Sequence, residues 1–340
     1  MSVVVSSLTA EHEFPREGTW EEQARFCLRY ALLAPSNHNA QPWLFRVVDG
    51  AVELRADRSR GLAVSDPFDR ELSISCGAAL FNLRIALQRF GYQIEVELVP
   101  SAGDPDLLAR VVPVGHVLPT PETRLLFQAV PRRHTNRGSF DARPVSPRLL
   151  SEFQSVVRRE GAWMDFLEGE KKFAAADLIA QGDRAQLADP HFRRELFAWQ
   201  SRSRGARLDG LPEFTNRTSD SASGFGPLLV RTFDWVGLGR PAQERELALG
   251  SPVLAVLGTR HEEASAWLTA GQALQHILLA ATVAGVHASF LNQAIEVSAL
   301  RRRLCALTGC SGFPQIVLRM GFAVAAAPTP RRNLEDMLLR

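Results

Sequence analysis

The apolar positions of this chain fall into a pattern that recurs. Gly77, Leu80, Leu83, Ala86 and Gly91 stand at offsets 0, 3, 6, 9 and 14, and Gly271, Leu274, Ile277, Ala280 and Gly285 repeat those offsets 194 positions further on. Such spacing puts small and apolar residues on one helical face, so each set predicts a glycine-started helix closed by a glycine able to take positive φ. A short β-rich run ending in glycine follows each, RVVPVG at 110–115 and VLRMG at 317–321. Matching offsets and a matching strand point to an internal duplication.

Before the first of these helices, the pattern predicts a helix over 20–33, a turn over 34–42, and strands at 43–48 and 52–56 joined by the hairpin signal Asp49-Gly50. Before the second it predicts a helix over 147–159, a strand near 163–168, a helix near 172–183 and a strand at 252–257. Residues 201–227 are rich in Ser, Gly, Arg and Asp and too long for an ordinary connection, so they read as a lid over a site or as a linker. Leu211, Phe214 and Phe225 favour the lid.

Composition narrows the function classes. With 340 residues, 46% hydrophobic and 22% charged, the chain suits about two globular domains. A net charge of +2 gives no field broad enough to gather nucleic acid or an anionic membrane. No apolar stretch reaches membrane-spanning length and the first residues lack a leader pattern, so the expectation is a soluble, cytoplasmic protein. Cys27, Cys76, Cys305 and Cys310 form neither a disulfide framework nor a zinc site and read as reduced thiols. Phosphate loops, HExxH and GxSxG are absent. His191 and Glu195 read as a surface pair one helical turn apart, His276 and His287 as core or boundary histidines, and Asp66, Asp69 and Glu71 as acids at a helix start.

Two segments carry candidate chemistry. Ala34-Pro35-Ser36-Asn37-His38-Asn39-Ala40-Gln41-Pro42-Trp43 is a rigid, polar turn whose Ser36, Asn37, Asn39 and Gln41 offer donors and acceptors to a flat ligand rich in heteroatoms. The same residues equally suit ordinary turn capping. Arg132-Arg133-His134-Thr135-Asn136-Arg137-Gly138-Ser139-Phe140 could cradle a phosphate, each charge-assisted bond contributing about 1.5–3 kcal/mol, or form a solvated basic loop.

Taken together, these segments resemble the FMN-dependent nitroreductases. The family pattern APSxxNxQPW is met by Ala34, Pro35, Ser36, Asn39, Gln41, Pro42 and Trp43. Its arginine segment is similar to Arg133, Thr135 and Arg137, with Phe140 displaced by one residue, and its basic tail is similar to residues 329–334. A typical member is a two-fold dimer with the flavin between the arginine segment of one subunit and the turn of the other. Here the turn lies in the first half and the arginines in the second, which resembles the single-chain branch typified by the mycobacterial Acg proteins.

The resemblance implies an α+β, nitroreductase-like fold duplicated in one chain: two mixed or antiparallel sheets flanked by helices, forming an intramolecular pseudo-dimer. The units would be residues 1–128 and 129–340, with an insertion at about 185–227. It further implies FMN as cofactor, NAD(P)H as electron donor and a nitroaromatic or quinone-like small molecule as acceptor, in a chain acting as a monomer without nucleic acid or membrane. Arg133, Arg331 and Arg332, helped by Thr135, would hold the phosphate, and Arg137 the pyrimidine edge. Pro35, Ser36, Asn37, Asn39 and Gln41 would line the opposing wall, and a backbone N–H near Phe290 or Leu291 would meet the flavin N5. The alternative is a protein that sequesters FMN under the lid with little turnover.

Overall fold

The computed structural model describes residues 11–202, 208–211, 240–309 and 312–340. Helix α1 (Trp20–Ala31) starts where the sequence supplies a reciprocal cap: Thr19 Oγ1 accepts from the Glu22 N–H at 3.3 Å, and the Glu22 carboxylate accepts from the Thr19 N–H at 2.7 Å. The chain then turns into β1 (Trp43–Val48) and β2 (Ala51–Ala56). Between them Asp49 and Gly50 both take positive φ, 50° and 70°, as a two-residue hairpin with right-handed strand twist requires. Helix α2 (Arg70–Arg89), β3 (Tyr92–Leu98) and β4 (Leu107–His116) complete an antiparallel sheet in the order β1-β2-β4-β3.

The second half repeats this plan with insertions. After α3 (Pro121–Ala129) and α4 (Pro147–Arg159), β5 (Trp163–Phe166) is separated from its hairpin partner by α5 (Gly169–Ala188), α6 (Pro190–Arg202) and α7 (Arg240–Gly250). Then come β6 (Val253–Thr259), α8 (Ala264–Val283) and β7 (His287–Phe290), followed by α9 (Gln293–Glu296), α10 (Ser298–Thr308) and β8 (Phe313–Gly321). The second sheet is antiparallel in the order β5-β6-β8-β7, the same path as the first. The molecule is a duplicated α+β fold.

Its two halves meet where α2 crosses α8, and the repeated glycines stand at the crossing. They do not start their helices, as the spacing had suggested; each helix begins seven residues earlier, at Arg70 and Ala264. Packing is the reason: a Cβ on Gly77 would run into the carbonyl oxygen of Leu268, and one on Gly271 into that of Ile74. Ile74 and Leu268 are themselves 194 positions apart, so the contact maps onto itself when the halves are exchanged. Each also crosses over, Leu268 into the core of the first sheet and Ile74 into that of the second. Gly91 and Gly285 take positive φ just beyond the helices, 96° and 72°, as the pattern required.

Two more segments change sides. Beyond α3, Thr135 bridges Ala288 at the free edge of β7, in parallel. The C-terminal tail returns to the first sheet, where Leu338 bridges Phe45 of β1 and the Leu339 N–H donates to the Phe45 carbonyl at 2.7 Å. Among the described residues no helix is long and apolar enough to cross a membrane. Cys27, Cys76 and Cys305 are free thiols, and burial pushes Cys27 and Cys76 well up; Cys310 lies outside the described residues.

Candidate functional site

The polar turn after α1 is held in a conformation that side chains rarely adopt. His38, Asn39 and Gln41 all take left-handed φ, 50°, 55° and 53°, and such clustering persists only where the surroundings over-determine it. Ser36 Oγ accepts the Gln41 N–H at 2.9 Å. Gln41 is fully buried; its Nε2 donates to the Leu208 carbonyl at 2.8 Å and its Oε1 accepts the Arg332 N–H at 2.8 Å. Asn39 donates to the Pro330 carbonyl and accepts from Arg331, both at 3.2 Å. Asn39 and Gln41 therefore clamp the turn to the returning tail, while Ser36 and Asn37 remain half-buried.

Two arginines from distant parts of the chain converge on the end of α1. Arg331 donates to the carbonyls of Leu32, Leu33 and Ala34 at 3.0, 3.4 and 3.1 Å, and Arg133 donates to that of Leu33 at 3.2 Å. These carbonyls carry the partial negative charge of the helix terminus. Among the described residues no carboxylate pairs with Arg133 or Arg331, and the buried Arg133 Nε has no hydrogen-bond partner. Burial and the charge of Arg137 push Arg133 down to about 10, and burial with Arg133 pushes Arg331 down to about 9. Burial, then Arg133, Arg331 and His287, push the intervening His134 down to about 4, which leaves it neutral at physiological pH. Two buried guanidiniums side by side, one with an orphaned donor, fit an anion such as a phosphate.

Arg332 does not join them. Successive side chains of an extended tail point opposite ways, and its guanidinium lies 3.8 Å from Asp57 and donates to the carbonyls of Gln41 and Asp336. Beyond Arg133 the segment lies along β7. The Asn136 N–H donates to the Ala288 carbonyl at 3.0 Å. Backbone groups alternate along a strand, so Phe290 turns its N–H to the same outer edge as the Ala288 carbonyl. Leu291 is committed elsewhere: its N–H donates to the Val317 carbonyl at 3.0 Å and its side chain is in the core.

The turn also reaches the exit of β7. Glu71 Oε2 lies 2.5 Å from the Asn37 amide nitrogen, and its Oε1 lies 3.4 Å from that of Asn292. The early turn, the mid-chain arginine segment and the C-terminal tail thus come together at the end of α1, joined by hydrogen bonds between residues far apart in the chain.

Relatives match along almost the whole length. The chain is 32% identical over 322 residues, 93% of it and 91% of the relative, to the Mycobacterium tuberculosis protein named "Putative NAD(P)H nitroreductase Rv3131". The chain belongs to the NAD(P)H nitroreductase family. A second relative from that organism, "Putative NAD(P)H nitroreductase acg", is 29% identical over 320 residues, 91% of this chain and 93% of the relative. No family model matches. A solved nitroreductase with bound FMN from Desulfitobacterium hafniense covers 64% of this chain and 97% of its own at a TM-score of 0.41 and 14% identity.

Several residues of this nitroreductase family member are placed where sequence reasoning did not put them. Glu195 is half-buried and its partners are not His191: its carboxylate accepts from the N–H groups of Val64 and Ser65 at 2.9 and 3.1 Å and from Ser65 Oγ at 2.6 Å, while His191 meets Arg194. Arg60 pairs with Asp209, and Trp199 packs with Ala40 and Leu62, so the segment between β5 and β6 is fastened beside the turn. Leu211 is among its described residues; Phe214 and Phe225 are not. Glu71 takes hydrogen bonds from Arg70, Asn37 and Asn292 instead of capping its helix, whereas Asp66 does accept the Leu72 N–H at 2.9 Å. Arg319, fully buried on β8, donates to the Gly138 carbonyl at 2.9 Å and stacks 4.5 Å from the Phe140 ring, which fixes the arginine segment from beneath. Only its neighbours in space reveal such a role.

Proposed function

We propose that the chain binds FMN where the turn, the arginine segment and the tail meet, and passes hydride from NAD(P)H to a flat nitroaromatic or quinone-like acceptor. The observation that carries the reading is the buried Arg133 and Arg331 pair, which has no carboxylate partner among the described residues and so supports the cofactor phosphate as its counter-ion. Bound FMN would supply the hydride chemistry itself. The protein's part is placement: Thr135 assists the phosphate end, Arg137 approaches the pyrimidine edge, and the outward N–H of Phe290 is the donor for N5. Pro35, Ser36 and Asn37 line the opposing wall, while Asn39, Gln41 and Arg332 brace it from behind. A cation at the pyrimidine edge stabilises the negative charge that gathers there on reduction. Residues 1–128 supply the turn and 129–340 the arginines and tail, so one chain completes the site as a monomer.

A second reading is supported by residues 208–211, which lie against Gln41 and Arg60 at the back of the turn. On that reading the inserted segment covers the cofactor and the protein stores it. The visible absorption spectrum, recorded with and without NADPH, tests both. Flavin absorbance that bleaches on mixing and returns with acceptor supports the reductase. Absorbance that persists supports storage. Protein that is colourless and takes up no added FMN overturns both.

A further inference from the structure

The segment inserted between β5 and β6 belongs to the second half, yet its described part lies against the first. The equivalent strands β1 and β2 are joined by two residues alone. Glu195 holds α6 to the N–H groups of Val64 and Ser65. Trp199, one turn further along α6, packs with Ala40 and Leu62, its ring 5.7 Å from the Arg60 guanidinium carbon. The Leu211 N–H donates to the Trp199 carbonyl at 3.2 Å, which ties residues 208–211 back to that helix.

This unit reaches the polar turn twice. The Leu208 carbonyl accepts from Gln41 Nε2 at 2.8 Å. Asp209 accepts from Arg60 Nη2, while Arg60 Nε donates to the Ala40 carbonyl. Gln41 is gripped at both ends of its amide, since Oε1 accepts the Arg332 N–H and Nε2 donates to a backbone carbonyl. Backbone partners have fixed polarity, so that amide has one orientation.

The turn needs such a grip. Inside it, the Asn39 and Ala40 N–H groups donate to the carbonyls of Ser36 and Asn37 at 3.1 and 2.9 Å, and the Gln41 N–H to Ser36 Oγ at 2.9 Å. Against these bonds stand three non-glycine residues in left-handed φ, His38, Asn39 and Gln41, each disfavoured by contact of its Cβ with the backbone. Such a turn persists because contacts from outside hold it. The tail supplies some of them, and residues 208–209 with Arg60 supply others.

We propose that α6 and residues 208–211 are a brace that keeps the turn in its binding shape from behind, rather than a cover laid over the ligand. Asp209 acts through Arg60 on the Ala40 carbonyl, and Leu208 acts through Gln41; both are positioning residues that affect the ligand only through the turn. With FMN as that ligand, which rests on the proposed function, the turn presents Pro35, Ser36 and Asn37 only while the brace is fastened. A cofactor that binds one shape of the turn has an apparent affinity proportional to the population of that shape.

Asp209→Ala tests this in the full chain. Exchange of the Asn39, Ala40 and Gln41 amide hydrogens, measured without FMN, should quicken by at least about tenfold while the amides of β6 and β8 keep their rates. A quickening of all of them alike is general loss of stability and overturns the proposal. FMN affinity, followed by quenching of flavin fluorescence, should fall by a similar factor, about tenfold. The loss comes through slower association, faster dissociation or both. Association that speeds up together with dissociation is the mark of a cover removed and overturns the proposal. So do turn amides that keep their rates, and quickened turn amides in a variant that binds FMN as tightly as the wild type.

Should Asp209→Ala not fold, Asp209→Asn carries the same test. It removes the charge but keeps the shape and an oxygen for Arg60, so shifts of the same direction and smaller size are expected; unchanged exchange and affinity overturn the proposal. A wild type that takes up no FMN, beside turn amides that quicken in the variant, sinks the flavin reading and leaves the brace standing.

Discussion

The ends of α1 and α4 are the same place in the two halves, since each helix packs on its own central helix and runs toward the first strand of its sheet. They handle charge in opposite ways. At the end of α1 two arginines crowd together with backbone carbonyls as their acceptors. At the end of α4 the chain supplies its own anion: Glu160 accepts from Arg84 at 2.7 Å and bonds His276 Nδ1 at 2.9 Å, with the His276 ring stacked 4.6 Å from Phe81. Although burial opposes it, the bonds from His276 and Arg84 hold Glu160 down at about 2. One end is neutralised within the chain; at the other, no carboxylate among the described residues pairs with the two arginines, which is why the proposed function places an anion there. Duplication supplied two equivalent places, and a single carboxylate separates their fates.

The comparison breaks most severely at the feature both ends share. Gly271→Val places side-chain atoms in the backbone of α2, so a loss of about 3 kcal/mol or more is expected, with unfolding in urea shifted down for the whole molecule. Retained stability would mean that the two halves do not lean on each other at the crossing.

Glu160→Gln should cost somewhat less, about 2–3 kcal/mol at neutral pH, because it strands Arg84 and His276 beside an uncharged amide. The sign of the accompanying pH effect follows from the depressed carboxyl. Its stabilisation is complete above the unfolded value of about 4.3 and is lost as pH falls toward about 2, so the variant should lack that part of the wild type's acid-induced loss in a melting series.

Arg133→Met gives the smallest effect and the most telling one. FMN affinity should drop at least about tenfold, or 1.4 kcal/mol, while the apo-protein melts no lower than the wild type, since the arginine it replaces is buried without a counter-ion among the described residues. Equivalent removal of charge at the α4 end lowers stability instead. A fall in apo-protein stability on Arg133→Met would show that the α1 end is already neutralised from within.

Local pattern carried much of this structure. The helix Pro147–Arg159, the strand Trp43–Val48 and the Asp49-Gly50 hairpin lie where apolar periodicity and turn chemistry put them. The repeat was legible because glycines at a helix crossing cannot be replaced by larger residues, yet that reason was misread as a helix start. Within the site, the turn and the Arg133 segment could be read because each is contiguous. What could not be read depends on pairings far apart in sequence. Glu71 has helix-start neighbours in sequence, and only the fold brings Asn37 and Asn292 to its two oxygens. Arg331 and Arg332 look alike in the chain and differ only through which side of an extended tail each one takes.

The strap that carries Arg331 has a consequence for the order in which the molecule matures. While the ribosome is still extending the chain, the first sheet and the Arg133 segment can be in place, but the second guanidinium has not emerged. The tail must zip onto β1, a strand made some three hundred residues earlier, before both cations stand together. On the proposed reading, capture of the cofactor waits until synthesis has passed the tail, and a chain released before then would offer one of the two cations alone.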